Sequence, residues 1–263
     1  MSLYRTFLKE VASSGLPASP AGAIGNSLPA CLPEPAQRYL RFMKVAERPP
    51  EWSFRLGLTG RFRLGPRKPW MPCEAWQYNS RLAAARLFHL RIRFGGFLPV
   101  IGRDSYVHGK GRMLVRLADL VTVADGAGPE FDTGELVTYL NDAVMIAPSM
   151  LLASGISWAG VDDRSFDVSL QDHGRTVTAR VFVDETGAPR DFSTADRYCY
   201  GPDGSRKLIR ARWTTPIAAW EIVDGRPLPA GGQAVWHLPD GPFAYADFRV
   251  LPGSVAFNVP PGE

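Results

Sequence analysis

Cysteine is scarce. Cys31, Cys73 and Cys199 are the three in 263 residues, far apart and never in a Cys-x-x-Cys pair. That argues against a disulfide framework and against a local zinc site. Histidine is nearly as sparse: His89, His108, His173 and His237 have no partner at ligand spacing, so no metal and no cofactor are expected. No apolar run approaches the roughly 18 residues that a helical membrane span needs. Near the N-terminus, Glu10, Ser13, Ser14, Pro17 and Pro20 interrupt any signal-like core ahead of Leu28-Pro29-Ala30-Cys31. Lipoprotein-type export through Cys31 is therefore not the expectation, and cytoplasmic residence is. Gly-x-Ser-x-Gly and P-loop motifs are missing, as is any nucleic-acid motif.

Charge is modest. Charged residues make up 21% and the formal net charge is +4, with arginines such as Arg61, Arg63, Arg91 and Arg93 on the polar side of candidate strands. A solvated sheet face accounts for them, and peripheral contact with an anionic membrane surface stays open. The 45% hydrophobic content supplies a core, while 23 prolines and 26 glycines fall mostly between apolar runs, as turns require.

What is present is alternation. From Trp52 to Leu64, Trp52, Phe54, Leu56, Leu58, Phe62 and Leu64 fall on one side, and Ser53, Arg55, Thr59, Arg61 and Arg63 on the other. Successive strand side chains point to opposite faces, so this reads as a strand. Further strands are expected over Trp70–Asn79 and Phe88–Phe94. A loop is expected at Ile101–Tyr106, then one long strand near Met113–Ala124. Beyond residue 160 the pattern predicts strands at Phe166–Leu170, Val177–Val183, Phe192–Tyr200, Leu208–Thr214, Gln233–Leu238 and Phe243–Leu251, joined by Asp-Gly and Pro-Gly turns.

Two segments of the domain read as helix, besides a short helix expected at Met1–Val11 within the arm. Pro33-Glu34-Pro35 opens one, with Ala36, Tyr39, Leu40 and Met43 on a stripe. Phe131–Leu152 carries the second: Asp132-Thr133-Gly134-Glu135 has the form of a capping box, and Leu136, Tyr139, Leu140, Ala143 and Val144 form its apolar stripe. Pro148 should end that helix, leaving Pro148–Leu152 as a candidate lid. The expected fold is mainly β with helices (α+β), a large curved antiparallel sheet or half-barrel packed on an N-terminal helix and a central helical insertion. Residues 1–30 read as a flexible arm. Residues 31–263 read as one β-rich domain with the insertion at about 131–152.

Several stretches resemble an uncharacterised bacterial family common in actinobacteria. They are Leu32-Pro33-Glu34-Pro35 with Arg38-Tyr39-Leu40, Pro69-Trp70-Met71-Pro72, Gly102-Arg103-Asp104-Ser105-Tyr106, Gly109-Lys110-Gly111-Arg112-Met113, Gly134-Glu135-Leu136 with Tyr139-Leu140, and Trp236-His237-Leu238-Pro239. The resemblance spans Leu32 to Leu251 and implies no activity. The element order is also similar to the lipoprotein localisation factor fold, an open half-barrel plugged by helices.

The polar candidates are Glu74, Arg103, Asp104 and His237. Glu74 shares a strand face with Trp76 and Tyr78 and is the best buried acid; a buried acid takes a raised pKa and can move protons. Ser149 has no assignable base and reads as a helix-end serine. For an apolar ligand the candidate lining is Trp70, Trp76, Tyr78, Tyr139, Met145, Trp158, Trp213 and Trp236. The first functional reading is a non-enzymatic binding protein for a hydrophobic small molecule or lipid. The second is an enzyme using the same cavity for isomerisation, hydration or cyclisation of an apolar substrate. The third is a structural or interaction protein with a filled interior.

Overall fold

The structure is a computed structural model that describes every residue except Met1, Asn26, Ser27, Ala30, Gly96 and 202–206. The strand break expected at Gly95-Gly96, the turn expected at Gly201–Gly204 and the Leu28–Cys31 segment thus lie partly outside the described residues.

The strands in chain order are β1 (Ser53–Phe62), β2 (Met71–Ser80), β3 (Ala85–Phe94), β4 (Leu98–Val107), β5 (Lys110–Leu117), β6 (Val121–Ala127), β7 (Ile156–Asp162), β8 (Ser165–Asp172) and β9 (Arg175–Val183). They continue with β10 (Pro189–Thr194), β11 (Tyr198–Tyr200), β12 (Leu208–Arg210), β13 (Arg212–Thr214), β14 (Ile217–Val223), β15 (Arg226–Leu238), β16 (Gly241–Val250) and β17 (Ala256–Phe257). Among the described residues, 15 of them form one sheet in the order β6-β5-β4-β3-β2-β1-β16-β15-β13-β10-β9-β8-β7, with β14 added to β15 and β17 to β1. All the pairings are antiparallel, and β6 and β7 do not pair, so the curved sheet stays open. The two strand blocks meet where β1 lies on β16, with Leu58 opposite Val250 and Phe62 opposite Ala246. Gly60 allows that junction, because a Cβ there would collide with the carbonyl of Asp247.

Three helices cover the sheet. α1 (Leu3–Ala12) is capped by Ser2, whose Oγ accepts from the Arg5 amide at 3.3 Å. The sequence reading sets residues 1–30 apart as a flexible arm; instead Phe7 and Val11 are buried with Leu16 against Tyr78 and Leu87. Each such side chain contributes roughly 1.5–3 kcal/mol on burial, which offsets the cost of ordering a short helix. α2 (Glu34–Phe42) starts on proline as expected and buries Ala36, Tyr39 and Leu40. α3 (Pro129–Ile146) is buried along nearly its whole length.

Several boundaries differ from the pattern. Ile101–Tyr106 is not a loop but the middle of β4. The single strand expected at Met113–Ala124 folds back at Ala118-Asp119, where φ is +51° and +55°. A type I′ turn needs positive φ at both central positions. His108-Gly109, His173-Gly174 and Asp224-Gly225 also have positive φ at both positions, and each ends in the expected glycine. Ala118-Asp119 has none, so it gives no sequence signal. The capping box is displaced too: Pro129 occupies the first turn of α3 after Gly128, and Asp132 lies inside the helix. Pro148–Leu152 forms a 3-10 turn with Met150 and Leu151 almost fully buried, so it is core and not a lid. Ser149 is bonded to Glu51, which also pairs with Arg226. That fixes the turn to the segment entering β1.

Asp132 joins three elements. Its carboxylate accepts from the Gly111 amide of β5 at 2.8 Å and from Arg175 of β9 at 3.0 Å. Gly111 is needed here because a Cβ would strike the backbone of Phe131 and Asp132. Gly111→Ala is expected to destabilise the chain by about 3 kcal/mol through overpacking. Urea denaturation checks this; an unchanged midpoint would contradict the contact.

Candidate functional site

Strand register sorts side chains onto two faces. Leu58, Ala75, Leu90 and Gly102 lie opposite one another across β1 to β4, as do Leu56, Gln77, Phe88, Asp104 and Met113 across β1 to β5. These residues share the concave face, which α3 crosses. α1 packs on the convex face, with Tyr4 on Trp76 (4.2 Å between ring centroids) and Phe7 on His89 (5.6 Å).

A cavity of about 550 Å³ lies between α3 and the concave face. Its apolar wall includes Phe62, Phe88, Ile92, Val100, Val115 and Phe248. The α3 residues that line it include Gly134, Glu135, Thr138, Asn141, Asp142 and Met145. They recur at the spacing of one helix face. The opposite face, with Leu136, Tyr139, Leu140, Ala143 and Val144, is the expected apolar stripe and enters the core. The helix is thus buried on both sides, one side against hydrocarbon and the other against polar partners.

Arg86 of β3 is the centre of those partners. It donates to Asp142 Oδ2 at 2.7 Å and to Glu135 Oε2 at 3.1 Å, all three groups shielded from bulk water. Gln77 Nε2 (2.7 Å) and Asn79 Nδ2 (3.3 Å) complete the shell of Asp142. Thr215 Oγ1 donates to Asn141 Oδ1 at 2.6 Å. Arg197 stacks over Trp213 at 4.2 Å and Trp236 at 5.5 Å, and donates to Tyr245 Oη at 3.3 Å. Asp104 enters the cavity from β4, and its carboxylate accepts no hydrogen bond among the described residues.

Three carboxylates thus face two guanidiniums in an apolar setting. Burial raises the pKa of Asp104 and of Asp142, and the arginine charges only partly oppose it. Glu135 is pushed up to about 7, by burial first and then by the charge of Asp104, against the pull of Arg86 and Arg197. Burial and like charge thus favour the neutral form of these carboxyls, and the arginines oppose it.

The expected site residues divide. Asp104, Met145, Trp213 and Trp236 line the cavity. Glu74 does not: it is half-exposed on the convex face and paired with Arg91. Arg103, next along β4 from Asp104, points the other way and pairs with Asp119 at 3.0 Å. His237 sits between Arg212 Nη2 (2.8 Å) and Thr214 Oγ1 (3.0 Å); burial, then the Arg212 charge, lowers its pKa. The four polar candidates therefore do not converge. Trp76 and Tyr78 belong to the α1 interface, and Tyr139 to the core. Trp158 packs on Phe166 at 5.5 Å, and Trp70 lies over the guanidiniums of Arg61 (4.8 Å) and Arg63 (4.6 Å). Arg86, Glu135, Asp142 and Arg197 were missed. For Glu135 and Asp142 the signal was polar residues recurring at helical spacing on the far side of a greasy helix; Arg86 and Arg197 lie outside that helix and carried none. Among the described residues, no group of three His, Cys, Asp or Glu side chains is placed to hold a metal. No helix among them is long and apolar enough to cross a membrane.

The model of a family of unknown function, DUF6544, matches residues 22–248, and the chain belongs to that family. No curated protein matches it significantly. Similar solved structures include a domain assigned to outer membrane lipoprotein sorting from Vibrio parahaemolyticus, with 10% identity over 85% of this chain and 91% of that one and a TM-score of 0.45. Another is a LolA superfamily protein from Nitrosomonas europaea, with 13% identity, 81% and 90% coverage and a TM-score of 0.41. At such scores the likeness supports no transfer of activity or ligand.

Two outcomes test the polar cluster. Arg86→Met leaves the carboxylates without their central cation and should cost about 3–5 kcal/mol at pH 8, in the range for breaking a buried pair. The loss should shrink at pH 5, where the carboxyls take up protons. Glu135 holds a proton in the folded chain that the unfolded chain releases at lower pH. Parent stability therefore falls as pH rises from about 4.5 through about 7. Glu135→Gln removes that fall, so its urea midpoint should gain on the parent between pH 5 and pH 8. A constant difference across that range would mean that Glu135 does not titrate there.

Proposed function

We propose that the chain binds a hydrophobic small molecule or lipid in the cavity between the curved sheet and α3, without catalysing its conversion. The observation that carries this reading is an unfilled volume of about 550 Å³ with apolar walls and its polar groups gathered along α3. Ligand sites for small molecules commonly span about 300–1,000 Å³ and combine apolar walls with a few fixed polar groups. A filled interior, the structural alternative, would not leave such a volume. Leu58, Phe62, Val100, Val115 and Trp236 remain partly exposed around it, and bringing an apolar ligand against them removes that surface from water.

Asp104 and Glu135 favour the second reading, proton transfer on an apolar substrate, in a reduced form. It rests on these two carboxyls and no longer on Glu74, Arg103 or His237. Mass analysis of a bound molecule before and after incubation separates the readings. Recovery of the molecule unchanged supports binding, and a shifted mass supports turnover.

Delipidated protein titrated with fluorescent fatty acid, phospholipid and isoprenoid probes should bind at least one of them saturably. Val115→Trp places an indole in the hollow and should weaken that binding at least tenfold with the thermal midpoint unchanged. Failure of every probe to saturate would overturn the reading.

A further inference from the structure

In an antiparallel sheet, alternate turns lie at the same end. The β1–β2, β3–β4, β5–β6 and β15–β16 connections therefore share one rim. That rim carries large apolar side chains with little covering them: Phe97 is 84% exposed, Leu120 78%, Val121 61%, Leu64 58% and Phe94 51%. Neighbouring strands are about 4.8 Å apart, so successive tips stand about 10 Å from one another along the rim. Arg67, Lys68 and Arg93 are exposed among them and form no ion pair among the described residues. The acid of the β5–β6 tip, Asp119, is already taken by Arg103 and Arg116. Trp70 lies just below, against Arg61 and Arg63. The cavity reaches the same rim through Leu64, Leu238 and Phe243.

We propose that this rim docks on an anionic lipid surface, with Phe97 and Leu120 entering the headgroup layer, and that the cavity exchanges its ligand there. The second clause rests on the binding function proposed above. A row of separate apolar tips offers no groove for a peptide or helix, but it fits a deformable surface. Exposed aromatic and aliphatic groups flanked by unpaired cations gain both apolar burial and attraction to anionic headgroups. The attraction should fall with salt, because the Debye length shortens from about 10 Å at 0.1 M.

The test is co-sedimentation of the full chain with vesicles of phosphatidylcholine alone or with 30 mol% phosphatidylglycerol, at 0.1 M and 0.5 M NaCl. The proposal expects binding to the anionic vesicles that weakens in high salt. It expects at least a tenfold loss in the double variant Phe97→Ser, Leu120→Ser. It also expects Arg67→Glu, Lys68→Glu and Arg93→Glu together to abolish the preference for anionic lipid. Neither Phe97 nor Leu120 lines the cavity, so the Ser variant should keep the parent's circular dichroism and its affinity for a probe in vesicle-free solution. Absence of vesicle binding, or equal binding by parent and Ser variant, overturns the proposal. So does a parent dimer that the Ser variant converts to monomer by light scattering, since that assigns the rim to a second copy of the chain. If the rim binds vesicles as expected while no probe binds in solution, docking stands and the exchange clause falls with the binding function.

Discussion

The join between α3 and the sheet depends on one buried cation. Arg86 stands on β3 where hydrocarbon would otherwise be expected, and it is tolerable only because Glu135 and Asp142 reach it from the helix. Taking a guanidinium out of water costs several kcal/mol, and carboxylates at hydrogen-bond distance offset that cost. The same contacts fix the rotation of α3. With Leu136, Tyr139 and Leu140 committed to the core, the face carrying Glu135, Thr138 and Asp142 turns toward the concave sheet. A cavity bounded partly by acids and amides is the result.

Much of the fold was legible. Period-two alternation marked β1, β2, β3, β8 and β9, and glycine-bearing turns marked the hairpins at Gly174, Gly187, Gly225 and Gly241. What alternation does not reveal is which face lies inward. Trp76, Tyr78 and Glu74 do share a face, as their spacing says, but it is the convex one. The bulkier face of β2, with Trp76 and Tyr78, is the one that α1 covers, while its concave side carries Cys73, Ala75, Gln77 and Asn79. Side-chain bulk therefore pointed away from the cavity. Arg103 and Asp104 make the same point: adjacent on a strand, they point in opposite directions, so reading Ile101–Tyr106 as a loop wrongly allowed them to act together.

The site itself was least legible where it is most polar. Arg86, Glu135 and Asp142 come from two elements separated by 49 and 56 residues of chain, and no local spacing brings them together. Glu135 looked like half of a capping box because a helix start and a buried ion pair use the same residue types. Proline at position 129 decided between them by starting the helix earlier. Tertiary charge pairing, invisible to a window of neighbours, assigned the carboxylate to Arg86.

The two ends of the sheet are held differently. At one end Tyr106 bonds Asp172 at 2.6 Å, while Asp132 grips both Gly111 and Arg175. These contacts lace β4 and β5 to the far wing. At the other, the tips carry no comparable cross-tie among the described residues. A closed barrel has its radius set by strand number and shear. A laced but unclosed trough has no such fixed radius: its wings can spread about the laced end while every ladder between neighbours stays intact. The breadth of the cavity then becomes an elastic property of the sheet rather than a single volume.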